Sequence, residues 1–128
     1  MGTLKTGKVK TTTIADELDT ESTAVTNVIN GSAKAWVNFN GTGAVAIRRG
    51  FNVSSLVDVG TGYYTVNFTT AMTDANFSVC SSGRDSTSTT LPLTSSAVTF
   101  STTSTTLRFL TNANADRDSD IVSVAIFR

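Results

Sequence analysis

Lys34–Phe68, KAWVNFNGTGAVAIRRGFNVSSLVDVGTGYYTVNF, is the stretch around which the rest of the chain arranges itself. In an extended segment alternate side chains share a face, so Ala35, Val37 and Phe39 line up on one side and Trp36 falls on the other. Asn40-Gly41-Thr42-Gly43 supplies glycines where a chain reversal needs positive φ. Ala44 to Val53 continues with Val45, Ile47, Phe51 and Val53 in one phase, interrupted by Arg48 and Arg49. Either a bulge beside Gly50 resets the phase there, or Arg49 reaches a carboxylate at a subunit contact. Gly60-Thr61-Gly62 then turns the chain into Tyr63–Phe68, a run rich in strand formers. Three strands joined by glycine turns make a sheet nucleus.

Outward from this nucleus, the 128 residues suffice for one domain with a real core. Ten basic and ten acidic side chains balance, which argues against nucleic acid or another polyanion as a partner. Ser and Thr make up about 30% of the chain, a composition suited to exposed sheet faces. Histidine is absent, which removes Ser-His-Asp chemistry, His-based zinc sites and the commonest general base. Cys80 is alone, has no internal disulfide partner, and reads as core filler on a strand. No segment has the ~20 apolar residues of a membrane span and no signal-like run opens the chain, so synthesis in the cytoplasm without membrane insertion is expected.

Residues 1–13 carry Lys5, Lys8 and Lys10 and almost no large apolar side chain, so this arm has to lie against something else or stay unfolded. Thr13 to Ile29 spaces Ile14, Leu18, Val25 and Ile29 helically, yet its β-branched residues limit it to a short helical turn between extended pieces. Downstream, Ala75–Ser81, Val98–Thr102 and Thr106–Thr111 alternate as strands, the last two close enough for a hairpin. Ser82–Thr90, SGRDSTSTT, reads as a polar loop, and Pro92 as a mark of an edge or loop. Ile121–Arg128 is apolar on both faces and is expected mid-sheet, buried on both sides. The expected fold is all-β, an antiparallel, jelly-roll-like β-sandwich over 34–128 preceded by an arm over 1–33.

The chemistry-bearing candidates are few. Asp116-x-Asp118-x-Asp120 has the spacing of the first half of a calcium loop, but Ile121 stands where the loop needs Gly and no Glu follows. The metal reading is therefore weaker than that of a solvated turn. Trp36 with Tyr63 or Tyr64 is a candidate sugar-stacking platform, although adjacent tyrosines on a strand face opposite ways. Tyr63, Arg84, Asp85, Asn112 and Asn114 are the candidate surface contacts, which the resemblance given next makes candidates for a receptor, and no cofactor site or catalytic pair is recognisable.

The string KAWVNFNGTG…VAIR…FNVSS followed by GTGYYTVNF resembles the core segment of bacteriophage tail-fibre and related virion-surface proteins, including those of cyanophages. The likeness is close over about a quarter of the chain and looser over LKTGKVKTTTIADELDTESTAVTNVINGSA upstream. It implies a small β-rich, non-enzymatic, homotrimeric domain on the exterior of a virus particle, in contact with other tail or capsid proteins and, at a fibre tip, with host polysaccharide. It makes Lys8, Lys10, Ile14, Leu18, Trp36 and Arg49 candidates for trimer or virion contacts. A tail fibre is the first expectation. A capsid decoration protein, stapled to the shell by its arm, is the alternative, because no shaft repeat or heptad is present.

Overall fold

The computed structural model describes residues 11–15, 22–88 and 91–128. The chain divides into two compact units, Met1–Ser32 and Ala33–Arg128. In the first, β1 (Thr13–Ala15) pairs antiparallel with β2 (Ser22–Ala24), and α1 (Val25–Gly31) follows without a side-chain cap. None of the α1 residues is buried, and Ile14, Val28 and Ile29 are exposed. The expected short helix between extended pieces is present; Lys8, Lys10 and Leu18 lie outside the described residues.

The second unit is all antiparallel β: β3 (Ala33–Asn40), β4 (Ala46–Phe51), β5 (Val53–Gly60), β6 (Tyr63–Phe68), β7 (Ser78–Asp85), β8 (Pro92–Ser101), β9 (Ser104–Leu110) and β10 (Ser119–Phe127). They form one eight-stranded sheet in the order β4-β3-β10-β7-β8-β9-β6-β5. Its two edge strands, β4 and β5, are consecutive in sequence and joined through Asn52 alone, so the sheet curls nearly into a barrel. Asn52 sits at φ 55, the left-handed region that Asn tolerates. Its side chain fixes the corner by donating to the carbonyls of Lys34 (3.0 Å) and Thr70 (3.1 Å) and accepting from the Thr70 amide (2.7 Å). Strand β8 joins the two halves of the sheet, pairing with β7 at Pro92 and Leu93 and with β9 from Thr94 onward.

The core lies inside the curl. Ala35, Val37 and Phe39 are all within 1% of full burial, as the alternation of β3 requires, and Tyr64, Val66, Leu107, Phe109, Val122 and Ile126 meet them. Phe39 and Tyr64 pack edge-on at 5.3 Å between centroids. Burying side chains of this size contributes roughly 1.5–3 kcal/mol each before entropy is set against it.

Several expectations are corrected. Where one strand was read over Ala44–Val53 there are two, because the left-handed Asn52 breaks the run. A bulge does reset the phase: Asn38 pairs with Arg49 and Phe39 with Ile47, leaving Arg48 as the extra residue. Phe51 therefore shares the outer face with Trp36, which it opposes directly, and is 56% exposed rather than in phase with the core. Ser82–Asp85 is not loop but the second half of β7, since its polar side chains sit on a strand held by backbone bonds to β10. Pro92 opens an interior strand, β8, where the first position tolerates a missing N–H. Strand β10 is mid-sheet as expected, between β3 and β7, but of its apolar side chains only Val122, Val124 and Ile126 are buried, while Ile121 is exposed. Cys80 is exposed, because Phe77 and Val79 take the inward positions of its segment.

Candidate functional site

The Asp116–Asp120 segment closes one end of the curled sheet, and its carboxylates do not converge. Asp116 accepts from Arg108 Nε of β9 at 2.6 Å. Asp118 accepts from the Gly62 amide at 2.7 Å, with the Tyr64 hydroxyl 3.2 Å away. Asp120 pairs with Arg84 of β7 through two of the guanidinium nitrogens, Nε and Nη2. Each acid is spent on a different strand, and among the described residues no group of three or more acidic or thiol ligands gathers for a metal. The calcium reading of Asp116, Asp118 and Asp120 is thus corrected: the alternation that suggested a loop around an ion is a strap that ties β9, β6 and β7 together. So is the solvated-turn reading, since Ser119 within it is fully buried and already opens β10.

Tyr64 is the knot under this strap. Its hydroxyl donates to the Gly41 carbonyl at 2.9 Å and accepts from the Ser119 amide at 3.1 Å. Burial pushes the phenol pKa well above its usual value, and the Asp118 carboxylate adds to this while the Ser119 amide works against it. Gly41 has no room for a side chain, because a Cβ there would stand 2.5 Å from the Tyr64 ring. Ser119 Oγ accepts from the Arg84 amide at 2.9 Å and donates to the Ile121 carbonyl at 2.7 Å. Arg48, the bulged residue, donates to the carbonyls of Phe39 (2.8 Å) and Asp120 (2.6 Å), so it too is absorbed by the clamp.

The receptor-contact candidates separate accordingly. Asp85 is buried, its carboxylate accepting from the Thr87 amide (2.8 Å) and hydroxyl (2.7 Å), with Arg117 Nε at 3.7 Å; it is unavailable to a receptor. The Thr87 amide, helped by its hydroxyl and Arg117, holds the Asp85 carboxyl below the usual carboxylate range. Arg84 is half-exposed but committed to Asp120. Tyr63 faces outward, opposite in direction to Tyr64 as expected, with the Arg108 guanidinium over its ring at 5.4 Å. Asn112 and Asn114 are exposed in the β9–β10 connection, and Asn114 takes φ 61. Trp36 and Tyr63 lie on non-adjacent strands, so the aromatic platform is not assembled.

The outer surface divides into two kinds. On β4, β3, β10 and β7, Phe51, Trp36, Ala125 and Cys80 form one directly paired row. Beside it a shallow hollow of about 280 Å³ is lined by Cys80, Ser82, Ser123 and Ala125 among others. On β5, β6, β9 and β8 the rows are hydroxyl-rich: Ser55, Asn67, Ser104 and Ser101, then Val57, Thr65, Thr106 and Thr99. Here Thr65 and Thr106 share a hydrogen bond of 2.8 Å, and Asn67 donates to Ser55 at 3.0 Å. Sequence reasoning found Trp36 but missed Phe51, since only the bulge brings it to this face. The chain matches no protein-family model, no curated protein and no solved structure in the comparisons made with each.

Proposed function

We propose that this chain is a non-enzymatic structural protein of a bacteriophage particle, a tail-fibre domain that works as a homotrimer and presents its hydroxyl-rich face to the host. The Lys34–Phe68 likeness brings the family into view. The observation that carries the reading is the uncovered aromatic row of Trp36 and Phe51, on a domain whose carboxylates at the strap are spent on cross-strand clamps. Such a molecule offers contact surfaces rather than reacting groups. In this reading the near-closed sheet is the sandwich-like unit of one protomer, and Tyr63, Asn112 and Asn114 are the side chains left to meet a surface polysaccharide. Immunogold labelling of intact virions with antibody to residues 33–128 tests it: gold on the tail is the expected result.

A second reading has its own observation. The first unit exposes Ile14, Val28 and Ile29 and buries none of α1, as suits an arm that needs another protein to cover it. A capsid decoration protein uses such an arm, and gold spread over the shell would establish that role instead. Particles without gold at either place would remove both.

A further inference from the structure

An asparagine followed by glycine is prone to cyclise on itself, because glycine brings no side chain to hinder the attack of its own amide nitrogen. Only Asn30 and Asn40 precede a glycine in this chain. The structure holds the two very differently. Asn40 ends β3, and both ends of its side-chain amide are occupied: Oδ1 accepts from the Thr42 amide (3.3 Å) and hydroxyl (2.8 Å), and Nδ2 donates to the Thr42 carbonyl at 2.9 Å. The nitrogen that would attack it, that of Gly41, donates to the Ser119 carbonyl at 2.8 Å. Gly41 is itself buried against the Tyr64 ring. Asn30 has none of these restraints. It is exposed in the last turn of α1, and its side chain makes no hydrogen bond among the described residues. A Cβ on Gly31 would meet nothing within 4 Å. Helix α1 has seven residues, no side-chain N-cap and no buried residue, too little to hold it closed, so local opening frees the Gly31 nitrogen at small cost.

From this contrast we infer that Asn30 is a site of spontaneous deamidation and that the fold spares Asn40. The Gly31 nitrogen bonds to Asn30 Cγ, and Nδ2 leaves as ammonia, carrying away the proton that the attacking nitrogen gives up. The product is a five-membered succinimide, which water then opens. Cleavage between the ring nitrogen and Cγ gives aspartate; cleavage between the nitrogen and the main-chain carbonyl carbon gives isoaspartate. The sum is asparagine and water going to an acid and ammonia, with nothing oxidised or reduced. Either product alters the arm. Val25–Gly31, VTNVING, holds no charged side chain, so the new carboxylate is the first charge on this helix. It arrives at the C-terminal end, where the macrodipole disfavours an anion, and beside the exposed Ile29. Isoaspartate also lengthens the main chain by a methylene, which breaks the helical register. The change accumulates with the age of the molecule and is confined to its first unit.

The test is peptide mapping of the full chain by mass spectrometry after days in mildly alkaline buffer, with and without urea. Trypsin cuts after Lys34 and so puts Asn30 and Asn40 on separate peptides, and fragment spectra distinguish Asn30 from Asn27. In buffer alone Asn30 is expected to convert at least about tenfold faster than Asn40, with isoaspartate and aspartate appearing together. In urea, where the Gly41 nitrogen is released, the two should convert at similar rates. Gly31→Ala, which fits the open space at that position, should slow Asn30 about tenfold and leave Asn40 unchanged. Asn40 keeping pace with Asn30 in the folded chain, or Asn30 staying intact while urea converts Asn40, would overturn the assignment. Persistence of Asn40 in urea would overturn the role given to the fold.

Discussion

Tyr64 concentrates more of the fold on one atom than any other side chain described above. Its hydroxyl joins the Gly41 turn to the Ser119 amide, with Asp118 alongside, so Tyr64→Phe leaves a buried amide and a carbonyl without their partner. A loss of about 1–3 kcal/mol is expected in urea unfolding. The same residue sets an alkaline limit. Burial raises its folded pKa, so the folded state holds this proton more tightly than the unfolded chain does. Stability is fully present below the unfolded value near ~10 and declines as pH rises beyond it. Tyr64→Phe should flatten that decline, as urea midpoints measured between pH 8 and pH 11 will show. On the acid side the sign is reversed. The Arg84 guanidinium holds the Asp120 carboxyl low, and the Thr87 amide does the same for Asp85. These contributions are complete above the unfolded value near ~4 and disappear as pH falls through the lower folded ones. Urea midpoints should therefore drop below about pH 4, and less steeply in Arg84→Met, which lacks one of the pairs.

At the scale of elements, the corner between β4 and β5 decides whether eight strands form a flat sheet or a curled one. Asn52 does this with its backbone, at φ 55, and with three side-chain hydrogen bonds. Asn52→Gly keeps the conformation and loses the bonds; Asn52→Ala loses both. Thermal melts should rank wild type above Gly and Gly above Ala, with about 1 kcal/mol between the two variants. Much at this scale was legible from local pattern. The alternation of Ala35, Val37 and Phe39 named the buried face of β3, and Gly50 beside two arginines marked the bulge. The Asn52 break was not legible, because a lone Asn in a β-rich run has no local signature separating a strand residue from a left-handed corner. Nor was the strap. Spacing alone cannot distinguish three aspartates facing one ion from three facing Arg108, Gly62 and Arg84, the last two supplied by distant sequence. The polar run Ser82–Asp85 concealed a strand for a related reason: its partners on β10 lie some 40 residues away.

For the whole molecule, the division at Ser32 predicts independence of the second unit. Residues 33–128 alone should keep the strand circular dichroism of the full chain and unfold within about 0.5 kcal/mol of it, while residues 1–32 alone should show neither helix nor strand signal. The strand order has a further consequence, and it concerns time. Strand β3 is among the earliest in the domain, yet its neighbour opposite β4 is β10, and Asn38 bonds to the Val122 carbonyl across 84 residues of chain. Until β10 arrives, β3 and β7 each have a bare side, and Tyr64 has no strap to close over it. Contacts spanning that much chain make folding slow and leave its late stage exposed to strangers. A second nascent copy offers the same missing strand at the same moment, so crowding of newly made chains should trade correct closure for entangled pairs.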